Sequence, residues 1–367
     1  YTVSFSSVDI SKLDKYSEDD PRAMALNGAF NVGNRGIVEL VEVFKNEIEF
    51  LHTIITATQE KRIPSPGKSD MLHFDGVILA HCNEAEWNRF QSEHTNEAIL
   101  DRLVKIDVPY CLELDQEIKI YEKMLKQSDF NAHISPHTIK VVSMFSVMSR
   151  LKESAKCDLL TKMKIYNGDD IIEKGRVKRI DIKDLREETS REGMSGISTR
   201  FITKALDMAL TDSDRNMITP VSAIEALTKA VKDQIVDEEF KDYCLSIIQN
   251  IVREEYLSIL EKEIAGSIEG KCITEGYVKQ NTVKVLSYSC GTISGSNVVF
   301  EVQFECLTCL PVEGMYISCV AKDVTKAGIR ATTNEEPSPI IVFVARDHHY
   351  TTEEFSKVNA GDQITIK

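Results

Sequence analysis

Two short stretches decide the fold of the first part of the chain: Asn34-Arg-Gly-Ile-Val-Glu-Leu-Val-Glu42 and Gly76-Val-Ile-Leu-Ala-His-Cys-Asn83. Each is an apolar run that ends in a polar residue, a pattern typical of a buried strand that leads into a loop. Residues 104–108 form a third apolar run, and helical periodicity fills most of the sequence from residue 37 to about residue 265. Short strands that alternate with helices predict an α/β layer with a largely parallel sheet.

The sequence changes character after Gly270. Short segments rich in Val, Ile, Phe and Tyr are separated by turns that contain glycine, which predicts an all-β barrel or sandwich. The predicted strands are residues 283–289, 298–304, 315–321, 340–344 and 363–366. A predicted helix over residues 254–264 joins the two parts, and the charged residues 167–192 are predicted to be an exposed loop or insertion.

The composition is that of an ordinary soluble globular protein, with 42% hydrophobic and 28% charged residues. The net charge of −14 divides into −11 up to residue 267 (35 basic against 46 acidic) and −3 after it (9 against 12). This excess argues against unaided binding to nucleic acid or to an anionic membrane, and no DNA partner is predicted. No apolar run is long enough to span a bilayer, and the nine scattered cysteines are typical of reduced thiols. We therefore expect a cytoplasmic protein (host cytoplasm or virion if viral), or a chain cut from a longer parent, since the first residue is Tyr1.

Four polar residues lie in an order that suits ATP hydrolysis. Glu42 ends the first predicted strand, where an acid can polarise the attacking water, and Asn83 ends the second, where an amide can orient that water. Arg102 and Arg200 can offset the negative charge of phosphate, Arg102 from a neighbouring subunit and Arg200 from a lid. Each residue also has an ordinary interpretation as a solvated carboxylate, a turn residue or a surface cation. The ordered set is more specific than any of its members.

Residues 1–262 resemble the PrkA serine protein kinase family. The resemblance is carried by Asp20-Pro-Arg22, Asn34-Arg-Gly36, Thr58-Gln-Glu60, His81-Cys-Asn-Glu-Ala-Glu-Trp87, Asn96-Glu97, Asp101-Arg102, Val108-Pro-Tyr110, Glu117-Ile-Lys-Ile-Tyr121, Phe145-Ser146, Ser149-Arg-Leu151 and Gly193-Met-Ser-Gly-Ile-Ser-Thr-Arg-Phe201. It implies a partial AAA+ ATPase core over residues 1–155 and a mainly helical lid, with the start of the PrkA C-terminal region, over residues 156–264. It also implies ATP and Mg²⁺ as cofactors of the intact family, and self-association.

The same resemblance implies a role for each site residue. Glu42 is the Walker B-type acid, Asn83 the sensor, Arg102 the arginine finger and Arg200 the second sensor. Glu39, Glu42 and Arg200 are the implied nucleotide-binding residues. Val41 stands where the usual acid pair has its first member, so Glu39 is the candidate replacement as a Mg²⁺ ligand.

The phosphate-binding pattern GxxxxGK[ST] does not occur in the sequence. Gly67-Lys-Ser69 comes nearest, but Arg62 stands where the first glycine is required, and the segment follows the predicted acid-bearing strand instead of preceding it. Without the N–H groups of such a loop, a triphosphate has few partners. We therefore expect this chain neither to hydrolyse ATP nor to bind it tightly.

Residues 266–367 resemble the stalk subunit of RNA polymerase II and its archaeal counterpart, most closely the versions in large DNA viruses. The resemblance is carried by Glu269-Gly-Lys-Cys272, Gly276-Tyr-Val278, Gly291-Thr-Ile293, Val298-Val-Phe-Glu-Val-Gln-Phe304, Pro311-Val-Glu-Gly-Met315, Val324-Thr-Lys-Ala-Gly-Ile329, Arg346-Asp-His-His349 and Gly361-Asp-Gln-Ile364. It implies a partial tip domain over residues 265–310 and an incomplete OB-fold barrel over residues 311–367, with the polymerase core and single-stranded RNA as partners.

Six residues of this second part are candidates for RNA contact: Lys322, Lys326, Arg330 and Arg346 for phosphates, and Phe343 and Tyr350 for base stacking. The alternative is a core position for Phe343 and an ordinary surface role for the cations, and a net charge of −3 predicts weak affinity. Cys306-Leu-Thr-Cys309 has no second pair at zinc-ligand spacing, so we predict structural thiols and no metal site.

Three hypotheses for the whole chain follow. The first is a fragment of an ATP-dependent serine protein kinase of the PrkA type fused to a stalk-like OB-fold domain. The second is a transcription subunit that binds single-stranded RNA, with a non-catalytic first half. The third is a chimeric chain with no integrated function, joined at about residues 255–267.

Overall fold

A computed structural model describes residues 7–17, 20–25, 28–46, 48–64, 71–127, 132–173, 176–178, 180–189, 191–211, 217–294, 297–335, 337–349, 351 and 353–367. The chain divides into two compact units, Tyr1–Asp107 and Val108–Lys367. Among the described residues, no helix is both long and apolar enough to cross a membrane.

The first unit is built around a pair of parallel strands, Ile37–Val41 and Val77–His81. The prediction of parallel strands is confirmed, and the register sets Val41 opposite His81, so the two carboxyl ends lie side by side. Val38 and Leu40 point into the core of the unit, whereas Ile37 and Val41 are exposed on the other face of the sheet. The strands are therefore half-buried, where the sequence predicted buried ones.

Helices and short strands surround this pair. The α-helices are Ala29–Val32, Ile48–Gln59, Glu84–Ser92 and Glu97–Leu100, with 3-10 turns at Ile10–Lys12, Pro21–Ala23, Val43–Lys45 and His94–Asn96. The further strands are Ser7–Val8, Met24–Ala25, Arg62–Pro64 and Met71–His73. Gly67-Lys-Ser69, the segment that comes nearest to the phosphate-binding pattern, lies outside the described residues.

The prediction of a strand over the apolar run at residues 104–108 is wrong. The chain there is not part of any strand, and Val104 and Ile106 are 89% and 77% exposed. An apolar run becomes a strand only when a neighbour supplies the hydrogen-bond ladder, and no other described strand pairs with this run.

The second unit has a helical core. The helix Thr138–Arg150 lies at its centre and is buried along nearly its whole length, including its polar residues Ser143, Ser146, Ser149 and Arg150. The other helices are Leu114–Gln127, Leu159–Tyr166, Ile182–Glu188, Thr199–Thr211, Pro220–Gln234, Glu238–Ser246, Arg253–Ile268 and Arg346–His349, with a π-helical stretch Ile247–Val252 and a 3-10 turn Phe355–Lys357. A short parallel bridge pairs His133–Ile134 with Met217–Ile218.

Residues 167–192 do not form the predicted exposed loop. They contain the strands Ile171–Glu173 and Arg176–Lys178, paired in an antiparallel hairpin, and then the helix Ile182–Glu188. The side chain of Leu185 is fully buried in the helical core. Ile171, Ile180 and Ile182 pack against the same core, so a few apolar residues anchor a stretch whose charged composition predicts exposure.

The helix predicted over residues 254–264 is confirmed and is longer, Arg253–Ile268. Its residues also contact the β region that follows, because Glu261 Oε1 accepts a hydrogen bond from the Val285 N–H at 3.0 Å. Tyr256 and Tyr288 pack edge to face, with ring centroids 5.5 Å apart.

The C-terminal region consists of short antiparallel strands, as predicted. They are Cys272–Ile273, Gly276–Val278, Lys284–Tyr288, Thr292–Ser294, Asn297–Val299, Val302–Glu305, Thr308–Cys309, Ile317–Val324, Gly328–Thr332, Ile341–Ala345 and Gln363–Ile366. The last four form one sheet with Ile341–Ala345 at one edge and Gln363–Ile366 at the other. In the described residues this sheet is open, so the predicted OB-fold barrel is not confirmed.

Candidate functional site

Glu42 follows directly on the strand Ile37–Val41, in a left-handed conformation with φ of 52°. This turn places its carboxylate at the carboxyl edge of the parallel pair, where ligands bind in open α/β sheets. The carboxylate is exposed and lies 2.8 Å from Lys45 Nζ. The hydrogen bond with Lys45 lowers the pKa of the Glu42 carboxyl, which is ionised at neutral pH even at its ordinary pKa. Such a carboxylate can polarise a water molecule or bind a cation.

Asn83 lies just beyond the neighbouring strand and caps the helix Glu84–Ser92. Its Oδ1 accepts a hydrogen bond from the Glu86 N–H at 2.8 Å. This is the ordinary role of an Asn at a helix N-terminus. The cap uses only the oxygen, and within the described part of the chain no group bonds to the Nδ2 amide. The amide can therefore still donate to a water molecule while the oxygen holds the helix.

Glu42 and Asn83 belong to one polar cluster. Lys45 Nζ lies between two carboxylates, 2.8 Å from Glu42 and 3.6 Å from Glu86. The N–H of Glu86 is the group that Asn83 caps. One oxygen of Glu86, Oε2, is inaccessible to solvent and has no partner among the described residues. The sequence-predicted acid and amide are thus brought together, with Lys45 as a link that the sequence did not reveal.

Glu39 lies within the strand Ile37–Val41 and is exposed. Its Oε1 is 3.6 Å from His81 Nε2 on the neighbouring strand. Because side chains alternate along a strand, Glu39 shares the exposed face of the sheet with Val41. Glu39 is available to a cation, although no group of three His, Cys, Asp or Glu residues that could hold a metal ion occurs in the described residues.

Arg102 does not join this cluster in the structure. It lies in the turn after the helix Glu97–Leu100, where its Nη1 donates to the carbonyl oxygen of Ala98. The Gln59 side-chain amide lies against the same guanidinium, with 2.7 Å to Nε when its oxygen faces the arginine. Arg102 is nevertheless exposed, as a residue that acts on a neighbouring subunit must be.

Arg200 is the second residue of the helix Thr199–Thr211 in the second unit, and its side chain is exposed. The opposite face of the helix is fixed in the core by Ile202 and Leu206. The Phe201 N–H donates to Ser198 Oγ at 3.2 Å, which caps the helix start. Arg200 is thus displayed on the first turn of a well-anchored helix.

The candidate RNA-binding residues separate into three groups. Phe343 and Arg330 are directly opposite each other on neighbouring strands, and Phe343 is 59% exposed, so the alternative of a core position is wrong. Lys322 lies near the end of the strand Ile317–Val324, and Lys326 lies in the turn that follows this strand. Both side chains are exposed. Arg346 is engaged locally, with its guanidinium 5.3 Å from the ring centroid of Phe355 and Nη2 3.3 Å from the Thr325 carbonyl. Tyr350 lies outside the described residues.

Sequence reasoning missed two buried ion pairs in the second unit. Arg150 Nη2 lies 2.8 Å from Glu117 Oε1, and neither side chain is exposed. Lys162 Nζ lies 2.5 Å from Glu192 Oε1, with 0% and 4% of the two side chains exposed. A signal was present for Glu117, which shares helical spacing with Leu114 and Tyr121 and so had to lie on the buried face.

Two family models match consecutive parts of the chain. Residues 2–158 match the family model of the PrkA AAA domain. Residues 160–271 match that of the PrkA serine protein kinase C-terminal domain. The two matches follow each other along the chain and include every residue of the cluster around Glu42, as well as Arg200.

Individual relatives agree with these matches. Serine/threonine kinase YeaG of Escherichia coli K12 is 37% identical over 260 residues, 70% of this chain and 40% of the relative. ATP-dependent protease PrkA of Bacillus subtilis is 35% identical over 263 residues, 70% of this chain and 41% of the relative. The chain therefore spans about two fifths of the length of these curated relatives.

Among solved structures, NtrX from Brucella abortus aligns with a TM-score of 0.28 and 14% identity, over 63% of this chain and 52% of that chain. A likeness of this size carries no argument about the fold. The two consecutive domain matches, together with the identity to the curated relatives, identify the family: residues 2–271 of this chain belong to the PrkA family.

Proposed function

We propose that residues 2–271 are the acid- and sensor-bearing part of an ATP-hydrolysing machine of the PrkA type. The observation that supports this best is the polar cluster at the carboxyl edge of the parallel strands, where Glu42 and Asn83 are linked through Lys45 and Glu86. An ionised carboxylate and a free amide N–H₂ group at such an edge are the groups that place a hydrolytic water. Arg200, in the other unit, is proposed to contact phosphate as the second sensor.

The residues present fit one part of a Mg²⁺–ATP site. Glu42 and Glu39 are accessible carboxylates that would hold the metal ion, and the Asn83 amide would orient water. When bound, Mg²⁺–ATP supplies the γ-phosphoryl group as the electrophile. The sequence contains no GxxxxGK[ST] pattern to hold the β- and γ-phosphates, so we expect this chain alone to bind ATP only weakly.

Lys45 holds the acid in place. Its ammonium group lies 2.8 Å from Glu42, lowers the pKa of that carboxyl further below neutral pH, and is itself shared with Glu86. A carboxylate with a lowered pKa is a weak base, so Glu42 would polarise the attacking water and would not fully remove its proton before attack. Arg102 is proposed to act on a neighbouring subunit, which requires self-association of the chain and release of its contact with Ala98.

The test is a hybrid protein in which the matched 260-residue segment of the Escherichia coli kinase is replaced by the corresponding residues of this chain. We expect the hybrid to hydrolyse ATP, and E42Q or R200A to lower the rate by at least roughly a hundredfold. Lys204→Ala, an exposed cation on the same helix as Arg200, is the matched control and should have little effect. A folded hybrid that hydrolyses ATP equally well with E42Q and R200A would refute the proposal.

Whether the hydrolysis serves phosphorylation or proteolysis is tested by comparing this hybrid with a second one, in which the same residues replace the matched segment of the Bacillus subtilis protease. The two relatives carry different activity names, a serine/threonine kinase and an ATP-dependent protease. Incorporation of radioactive phosphate from labelled ATP into casein would identify the kinase, and ATP-dependent degradation of casein would identify the protease. We expect phosphorylation, because residues 160–271 match the serine protein kinase C-terminal domain.

One observation favours a second candidate function for the C-terminal sheet, namely RNA binding. Phe343 is exposed directly opposite Arg330, so an aromatic ring and a cation share one open face. Such a pair can stack on a base and contact its phosphate, although Asp323, 3.5 Å from Arg330, partly offsets the charge. In filter binding of single-stranded RNA to the full chain, F343A should weaken binding about 5- to 150-fold. Exposed Leu286→Ala is the control, and absent or salt-insensitive binding would refute this function.

A further inference from the structure

The guanidinium of Arg150 joins several separate parts of the second unit. The residue ends the helix Thr138–Arg150, and its side chain is completely buried. Its side chain donates four hydrogen bonds to oxygens of other described residues: Nε to the Ile197 carbonyl (2.9 Å), Nη1 to the Cys111 carbonyl (2.9 Å), and Nη2 to Glu117 Oε1 (2.8 Å) and Ser146 Oγ (2.6 Å). Three of the four acceptors are neutral, so this arginine does more than balance one carboxylate.

The backbone beside Arg150 holds the segment 192–197 as well. The Gly193 N–H donates to the Arg150 carbonyl at 3.2 Å, and the Ile197 N–H donates to Ser149 Oγ at 3.1 Å. Gly196 has a φ of +119°, and a Cβ atom there would lie 2.7 Å from the Ser149 carbonyl oxygen. Only glycine allows so close an approach, so the contact between the segment and the helix end is built into the sequence.

The other end of the segment 192–197 is fixed by the second buried ion pair. Glu192 accepts hydrogen bonds from Lys162 Nζ (2.5 Å), the Lys152 N–H (2.9 Å) and the Tyr166 hydroxyl (2.5 Å). The segment is therefore held at both ends by side chains that the helical core has immobilised. The helix Thr199–Thr211 begins two residues after Ile197, and Arg200 lies on its first turn.

We propose that Arg150 is a positioning residue for Arg200: by holding the Ile197 carbonyl it fixes the start of the helix that carries the second sensor. The part of this proposal that concerns nucleotide rests on the proposed function, whereas the mechanical part does not. The rival explanation is a purely structural ion pair with Glu117. The two differ in what they require, because a structural pair needs only a positive charge, while positioning needs the Nε and Nη1 donors that lysine lacks.

Hydrogen exchange on the full chain separates the two explanations. In R150K, we expect amides 197–202 to exchange at least roughly tenfold faster, since each lost hydrogen bond to a carbonyl changes an opening equilibrium about threefold to tenfold. Amides of the helix Pro220–Gln234 should be unchanged. E117Q is the matched control: it removes the charge but keeps the arginine on Ile197, so amides 197–202 should stay protected. If amide exchange in R150K were accelerated equally throughout the unit, or were not accelerated at residues 197–202, the proposal would be overturned.

Ser149→Ala provides a milder variant, should R150K not fold. It removes only the acceptor of the Ile197 N–H and the donor to the Ser146 carbonyl. We again expect faster exchange confined to amides 197–202, by about threefold to tenfold. Protection of these amides equal to that of the unmodified chain would count against the proposal.

The nucleotide arm uses the hybrid enzyme. R150K and R200A should each raise KM for ATP, and the double variant should raise it no further than R200A alone, because both changes remove the same contact. Additive effects would overturn the link between Arg150 and Arg200. If R200A alone has no effect, the proposed function fails, and the exchange experiment still decides whether Arg150 holds the segment.

Discussion

Lys162→Met tests the energetic weight of the second buried ion pair. Lys162 is fully buried, and its Nζ donates to Glu192 Oε1 (2.5 Å), the Lys152 carbonyl (2.9 Å) and Thr189 Oγ1 (3.4 Å). Methionine has nearly the same length and fills the space, so the loss of packing is small. What remains is a buried Glu192 carboxylate without its cation. Breaking a buried pair in this way costs about 3–5 kcal/mol.

The lower end of that range applies here. Glu192 keeps two donors after the substitution, the Lys152 N–H and the Tyr166 hydroxyl, which continue to stabilise its charge. We therefore expect a loss of about 3 kcal/mol. With a urea dependence of about 2–3 kcal/mol per M for a unit of this size, the unfolding midpoint should fall by about 1–1.5 M.

Urea unfolding followed by far-ultraviolet circular dichroism measures this loss, since most of the helices lie in the second unit. The single tryptophan, Trp87, reports on the first unit and serves as an internal control. Lys156→Met removes a surface pair with Asp184, 47% and 58% exposed, and should cost at most about 1 kcal/mol. The double variant K162M/E192Q should regain at least half of the loss. A midpoint shift below about 0.3 M for K162M, or no recovery in the double variant, would refute the reasoning.

Three further predictions concern single residues. Gly196→Ala should destabilise the second unit by about 1–3 kcal/mol in thermal unfolding, because the backbone of Gly196 has a positive φ and a Cβ atom would clash with the Ser149 carbonyl. Gly266→Ala is the control. A Cβ atom there would have no neighbour within 4 Å, so this change should be neutral or stabilising. Asn83→Ala should cost the first unit about 1 kcal/mol in urea followed by Trp87 fluorescence, whereas N83D should keep the cap and lose only the amide donor, so that the hybrid folds normally but hydrolyses ATP slowly. Burial alone would raise the pKa of Glu192, but hydrogen bonds from the Lys152 N–H, Lys162 and Tyr166 lower it overall. This stabilisation is present above the unfolded pKa of about 4.3 and is lost as pH falls through the folded value, so urea midpoints between pH 7 and pH 3 should fall less in E192Q than in the unmodified chain.

The sequence predicted those elements that local pattern determines. The helix Arg253–Ile268 and the strands Ile37–Val41 and Gln363–Ile366 were predicted because apolar spacing alone distinguishes a helix from a strand. The run at residues 104–108 has an equally good strand pattern. A strand also needs a neighbouring strand to bond with, and the sequence of the run does not show whether one is present. Residues 167–192 show the opposite case, where the packing of Leu185 and neighbouring isoleucines on the core orders a stretch whose composition predicts a loop.

The candidate site was predictable to the same degree. The position of Glu42 and Asn83 just beyond two neighbouring parallel strands was predictable because the carboxyl ends of such strands share an edge, whereas their catalytic roles stay a prediction. Lys45 was not, since its role depends on the left-handed turn at Glu42 that brings it back to the carboxylate. The buried ion pairs join residues 30 and 33 positions apart, a distance at which no local pattern operates.

The two ion pairs have different consequences because they hold opposite ends of one short segment. Fixing only Glu192 would leave the chain free to rotate about Gly193 and Gly196, the two glycines with positive φ in the segment. Fixing only Ile197 would leave the entry of the segment free to move away from Lys152. With both ends held, the direction in which the helix Thr199–Thr211 leaves the core is set before any ligand arrives. A nucleotide that contacts Arg200 would then meet a preorganised cation. A substitution at the buried Arg150 would therefore weaken nucleotide binding, although Arg150 itself contacts no nucleotide.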